Sequence, residues 1–172
     1  VIKNNAVGIR VESDLSDEES PIEDIAITGN TIEDNDSDGV RCAETMEYRS
    51  GSYPYEVTLD SNTITGNGDN GVELVGCQWE VTNNTLEQNT GWGISVAATE
   101  RSDDPSSTAT VYDNPYDALS PQNADNDLVP LPDLTDNTFV DNTAGGIHFL
   151  DTTAANADTL AADNTFSSTV AG

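Results

Sequence analysis

Lysine occurs once in this sequence, at Lys3. Lysine and arginine together number five against 32 aspartates and glutamates, for a formal net charge of −27. That balance excludes a nucleic-acid partner, which needs a basic footprint on the protein. It disfavours an anionic membrane surface for the same reason. No apolar run approaches the roughly 20 residues of a membrane-spanning helix, so membrane insertion is not expected. The hydrophobic share, 35%, is lean for a conventional globular core, and aromatics make up only 6%. Two cysteines, Cys42 and Cys77, do not make a disulfide framework. An acidic, aromatic-poor chain reads as disordered unless some pattern forces it to pack.

Such a pattern is present. The stretch ITGNTIEDNDSDGVRC, from Ile27 to Cys42, returns as LDSNTITGNGDNGVEL from Leu59, as VTNNTLEQNTGWGISV from Val81 and as LTDNTFVDNTAGGIHF from Leu134. Each copy reads apolar, two spacers, Asn, Thr, apolar, two spacers, Asn, three spacers, Gly, apolar, any residue, apolar. Val1, Asn4, Gly8, Ile9 and Val11 fit the second half of an earlier copy. Asn164, Thr165 and Phe166 fit the middle of a later one, with Thr169 where the second Asn belongs. Because the chain starts and stops inside copies, it is expected to be a piece of a longer protein.

The equivalent glycines Gly8, Gly39, Gly71, Gly93 and Gly146 are 31, 32, 22 and 53 residues apart in turn. A fixed-length helical repeat does not vary in this way. A coil with a minimal turn of 22 residues and optional insertions does. The insertions all follow the Gly-led segment, so they emerge along one edge, and the longest covers 97–133. Within each copy the apolar residues alternate with period two in short bursts, as at Val57 and Leu59 or Val72 and Leu74, which is strand periodicity. Asn and Gly occupy the breaks, where positive φ is cheap. Three short strands per turn, stacked at about 4.8 Å, describe an all-β parallel solenoid. Residues 1–172 form one such domain of about five to six rungs, roughly 25 Å long. Asn30, Asn62, Asn84, Asn137 and Asn164 form one column, and Asn4, Asn35, Asn67, Asn89 and Asn142 a second. Both are expected to act structurally, as ladders of stacked amides. Cys42, at an apolar repeat position, reads as a small buried hydrophobe in preference to a bridge with Cys77.

These residues resemble the parallel β-helix repeat of pectate lyases, polygalacturonases, alginate lyases and many archaeal surface proteins. The resemblance covers most of the chain outside 97–133 and implies a right-handed, three-sheet β-helix. It is specific for fold and weak for function, because the same repeat carries enzymes, adhesins and structural modules. The acidic, nearly lysine-free surface resembles proteins of extreme halophiles, in which molar salt screens the self-repulsion. Together these imply a secreted or cell-surface archaeal protein with a structural or adhesive role. Its open end rungs would be available for self-association or for flanking domains.

The residue between the two apolar positions of the Gly-led strand should face solvent. In successive rungs it is Arg10, Arg41, Glu73, Ser95 and His148. In the resembling enzymes the corresponding sheet and its loops form a sugar-binding cleft, so this column is the candidate site for a polysaccharide or cell-surface glycan. Tyr112 joins it from the long insertion, with Tyr48, Tyr53, Tyr55 and Tyr116 in loops on the same edge. The bland alternative is an ordinary solvated strand face. Glycoside hydrolysis needs paired carboxylates, and Asp38 and Asp69 are the candidates. A calcium-dependent lyase needs a carboxylate cluster and an Arg or Lys base, for which Arg10 and Arg41 are the candidates although no lyase signature surrounds them, and His148 is a further catalytic candidate. Ser37 to Val40, SDGV, resembles the polygalacturonase N-T-D-G only loosely. The adjacent Asp pair and the Gly-His-Gly of that family are absent, and His148 follows Gly-Gly-Ile. An enzyme is therefore the lesser expectation. Asp34, Asp36 and Asp38 before Gly39 spell the start of a calcium loop, although its twelfth position is Thr45 and not Glu. The clusters Asp14/Asp17/Glu18/Glu19 and Asp125/Asp127 read as solvated loop charge. Two glycosylation triplets occur, Asn35-Asp36-Ser37 and Asn83-Asn84-Thr85. Asn83 is the better acceptor, because Asn35 belongs to a ladder.

Overall fold

A computed structural model describes residues 1–13, 25–44, 57–75, 79–97, 133–149 and 163–167. Most of the 97–133 insertion, the five loop tyrosines, Cys77, Thr45, Thr169 and both loop-charge clusters lie outside the described residues.

Every described element is a short strand. The chain opens with β1 (Ile2–Lys3) and β2 (Ile9–Ser13). One complete rung follows as β3 (Ile25–Thr28), β4 (Thr31–Glu33) and β5 (Val40–Glu44). The next is β6 (Val57–Asp60), β7 (Thr63–Thr65) and β8 (Val72–Val75). A third is β9 (Trp79–Thr82), β10 (Thr85–Glu87) and β11 (Trp92–Ala97). A fourth is β12 (Asp133–Thr135), β13 (Thr138–Val140) and β14 (Gly145–Phe149), and β15 (Thr165–Ser167) follows. All pairings are parallel and join equivalent strands of neighbouring rungs. They build a six-stranded sheet A (β1-β4-β7-β10-β13-β15), a five-stranded sheet B (β2-β5-β8-β11-β14) and a four-stranded sheet C (β3-β6-β9-β12). The expected three-sheet solenoid is therefore the observed one.

Strands this short end because the backbone turns sharply at fixed points. Gly29, Ser61, Asn83 and Asp136 have positive φ between sheets C and A, and Asn4, Asp34, Gly66, Gln88 and Asp141 between sheets A and B. Each of these residues stands immediately before a ladder asparagine. The turn thus belongs to the preceding residue, not to the asparagine as the spacing suggested. Left-handed backbone costs a non-glycine residue about 1–2 kcal/mol, and the ladder that follows offsets it.

In the first ladder, Asn30, Asn62, Asn84 and Asn137 each donate from backbone N and Nδ2 to the Oδ1 of the next asparagine, at 2.9–3.2 Å. Nδ2 of Asn62, Asn84, Asn137 and Asn164 also reaches a strand carbonyl of the rung before, at 2.6–2.8 Å. The second ladder repeats the scheme through Asn35, Asn67, Asn89 and Asn142. Its first member is Asn5, not Asn4: both the backbone N and Nδ2 of Asn5 donate to Asn35 Oδ1. Register explains the correction. Lys3 pairs with Glu33, so Asn4 aligns with the turn residue Asp34, and the first loop is one residue shorter before Gly8.

Inside the prism, like packs on like. Ile2, Ile32, Ile64, Leu86, Phe139 and Phe166 are successive register partners in sheet A. Val40, Val72 and Ile94, beside Leu74 and Val96, are fully buried in sheet B. Each such side chain contributes about 1.5–3 kcal/mol by leaving water, which is how a chain poor in apolar residues still holds a core. Cys42 belongs to this core at 0% exposure, and it is also disulfide-bonded. The choice of buried hydrophobe over bridge is therefore overturned. Its register partner is Leu74, and Cys77, the only other cysteine, follows three residues later in the sequence. Reduction is expected to lower the unfolding free energy by about 2–4 kcal/mol, measured by urea denaturation with and without a phosphine reductant. An unchanged midpoint would contradict this.

Candidate functional site

The register of sheet B places Arg10 beside Arg41, Arg41 beside Glu73, Glu73 beside Ser95 and Ser95 beside His148. The column is real, but its members do not act alike. Arg10 turns to Glu12 on its own strand. Arg41 forms the centre of an ionic cluster. Its Nε lies 3.0 Å from Glu73 Oε2, and its Nη1 lies 4.0 Å from Asp38 Oδ2. Arg41 Nε and Glu73 Oε2 are both sealed from solvent and meet as charges rather than as an aligned hydrogen bond.

Asp38 is 1% exposed. Its Oδ1 accepts hydrogen bonds from Asn70 N and Nδ2, both at 3.2 Å, and Asn70 Oδ1 in turn accepts one from Trp92 N at 3.0 Å. These three residues form a third, shorter ladder that runs in the opposite sense to the other two. Asn70 was not among the expected residues. The signal was there, since Asp38, Asn70 and Trp92 each stand directly before a repeat glycine.

Burial pushes the Asp38 carboxyl above its ordinary value. The Asn70 bonds oppose that rise, the nearby charge of Asp69 adds to it, and Arg41 counters it. Burial likewise raises Glu73, reinforced by the charge of Asp38, moderated by Arg41 and raised further by the charge of Asp69. Of the catalytic candidates, the structure thus gathers Asp38, Asp69 and Arg41 around Glu73. His148 lies two rungs beyond Glu73, about 10 Å at the usual strand spacing.

Both carboxyls bind protons more tightly folded than unfolded. The stability they contribute is complete below the ordinary carboxylate range and is lost as pH rises through their raised folded values. Acidification from neutrality towards the ordinary carboxylate range is therefore expected to raise the urea midpoint. Asp38→Asn should shrink that rise while changing the net charge by only one. An identical pH dependence in the variant would remove these groups as its source.

The far end of the column is aromatic. His148 stacks on Trp92 with centroids 4.7 Å apart and planes 13° from parallel. Trp92 lies over Gly145, where a Cβ would come within 2.5 Å of the indole, so glycine leaves the space that the ring occupies. Trp92 was also missed, because the repeat gave its position no defined character. Ser95 separates the ring pair from the ionic cluster.

Asp34, Asp36 and Asp38 do not converge. Asp34 is an exposed turn residue with φ 51°, Asp36 is exposed, and Asp38 is turned into the third ladder. Among the described residues no group of three or more His, Cys, Asp or Glu side chains could hold a metal ion. Calcium therefore has no described site at the sequence match.

A model of the right-handed β-helix region matches residues 23–172. No curated protein and no solved structure matches the chain. With most of its length matched and three parallel sheets wound from one repeat, the chain belongs to the right-handed β-helix family.

Proposed function

We propose that this chain is a scaffold module of a secreted or cell-surface protein, adapted to high salt, and that the outer face of sheet B holds a polysaccharide without cleaving it. The observation that carries this reading is the stacked Trp92–His148 pair in line with Ser95, Glu73 and Arg41. Flat rings beside a row of hydrogen-bonding groups suit a sugar chain, which offers apolar C–H faces and polar edges. The disulfide at Cys42 fits an oxidising compartment. The excess of acidic residues fits molar salt, where the Debye length falls to about 3 Å. In the last described strand Phe166, 53% exposed, offers a surface to flanking structure or a second copy.

A second reading is favoured by the ionic cluster: a polysaccharide lyase or glycoside hydrolase using Asp38, Glu73 and Arg41. Against it, Asp38 is almost fully buried and spends one oxygen on Asn70. A catalytic carboxyl has to reach the substrate.

The test is a polysaccharide panel in molar salt, scored for binding and for released reducing or unsaturated ends. The scaffold reading expects binding without release, weakened at least tenfold by Trp92→Ala. Product formation that Arg41→Ala abolishes would establish the enzyme. No binding to any polymer would sink the glycan reading and leave the protein scaffold.

A further inference from the structure

We infer that Asn83 is an acceptor site for an N-linked glycan. The two triplets in the chain meet opposite fates in the fold. Asn35 is 2% exposed, and its Nδ2 donates to Asn67 Oδ1 at 2.9 Å while its Oδ1 accepts from Asn5. Its amide nitrogen is closed to any transferase. Asn83 is exposed, on a turn with φ 55°, at the corner between sheets C and A that sheet B does not border. Among the described residues its Nδ2 donates to Asp60 Oδ1 alone, at 2.8 Å, in an exposed hydrogen bond. Asp60 keeps donors from Ser61 and Thr82 when that bond is released. The same turn position carries Gly29, Ser61 and Asp136 in the other rungs. Every rung supplies the ladder Asn and its following Thr, but only the rung with Asn83 completes the triplet in this column.

In the transfer, Nδ2 of Asn83 forms a bond to the anomeric carbon of an oligosaccharide carried on a lipid phosphate. The bond from that carbon to phosphate oxygen breaks, and its electron pair leaves with the lipid phosphate. Nδ2 gives up one proton to a base of the transferase. A glycan here projects away from sheet B and leaves its column open.

The inference rests on the export reading, and the test separates the two. The full chain, behind an added secretory leader, is expressed in a host that glycosylates secreted proteins, and intact mass is measured. The wild type and Ser37→Ala should exceed the polypeptide mass. Asn83→Gln and Thr85→Ala should match it, with unchanged circular dichroism. Gln88 already adopts φ 54° in this fold, so glutamine suits the turn at 83. Secreted wild type at the bare polypeptide mass, or a glycan mapped to Asn35, would overturn the inference. A glycosylated product in this host, with the native protein found in the cytosol, would uphold the acceptor site and sink only the export reading.

Discussion

Gly71→Ala is expected to lower the unfolding free energy by about 3 kcal/mol, whereas Gly29→Ala should cost about 1 kcal/mol. The two glycines serve different needs. A Cβ on Gly71 would lie 2.7 Å from Gly93 O, 2.9 Å from Asn89 Nδ2 and 3.0 Å from Leu86 Cδ2. The first two belong to the backbone and ladder of the next rung, so neither can swing aside. The rungs would have to separate locally, loosening the sheet B pairing and the ladder together. Gly29 has nothing within 4 Å of its would-be Cβ and bears only the strain of φ +65°. Urea denaturation of both variants in the same molar salt distinguishes crowding from strain. Equal losses would mean that the repeat glycine answers to backbone conformation and not to the spacing of rungs.

Asn84→Ala is expected to cost about 4 kcal/mol, as several buried polar groups lose their partners at about 1–3 kcal/mol each. Asn84 Oδ1 accepts from Asn62 N at 2.9 Å and Asn62 Nδ2 at 3.0 Å. Its Nδ2 donates to Leu59 O at 2.7 Å, Thr82 O at 2.9 Å and Asn137 Oδ1 at 3.0 Å. Truncation strands the Asn62 backbone N–H and the Leu59 carbonyl in a dry interior, because alanine is too small to reach them. Asn5→Ala is the matched control: Asn5 is exposed and is served by water once its bonds are lost, so its cost should stay below about 1 kcal/mol. If Asn84→Ala loses no more than Asn5→Ala, water must enter the ladder.

Much of this architecture was legible in the chain. Repeated positions such as Ile64, Val72 and Leu74 gave the strands, and the Asn-Thr pairs gave the ladder columns, since both depend on spacing alone. What failed to show depends on contacts between rungs. Gly39 and Gly71 read as turn glycines, yet neither has positive φ; each is small because the next glycine's carbonyl lies against it. Asn4 matched the ladder by its distance from Gly8, but strand register hands that place to Asn5. The outward column was readable as a list from Arg10 to His148. Its division into an ionic and an aromatic end was not, because Asp38, Asn70 and Trp92 enter from the neighbouring column. The bridge at Cys42 was underrated because burial and bonding look alike in a residue that occupies an apolar position.

The two long ladders also make the solenoid electrically polar along its axis. Each asparagine presents its side-chain oxygen to the preceding rung and donates from its backbone N–H and Nδ2 to the oxygen of the following one, while a second Nδ2 bond returns to the rung before. The amide dipoles therefore add, their negative ends pointing towards β1 and their positive ends towards β15, the reverse of the sense in an α-helix. Parallel sheets contribute little net dipole of their own, so the side chains set the direction. Three of the five basic residues, Lys3, Arg10 and Arg41, lie on β1, β2 and β5, on the side to which the negative ends point. In a chain with so few cations, these stand on the side that the axial field favours and also pair with local carboxylates, Lys3 with Glu33 and Arg41 with Glu73.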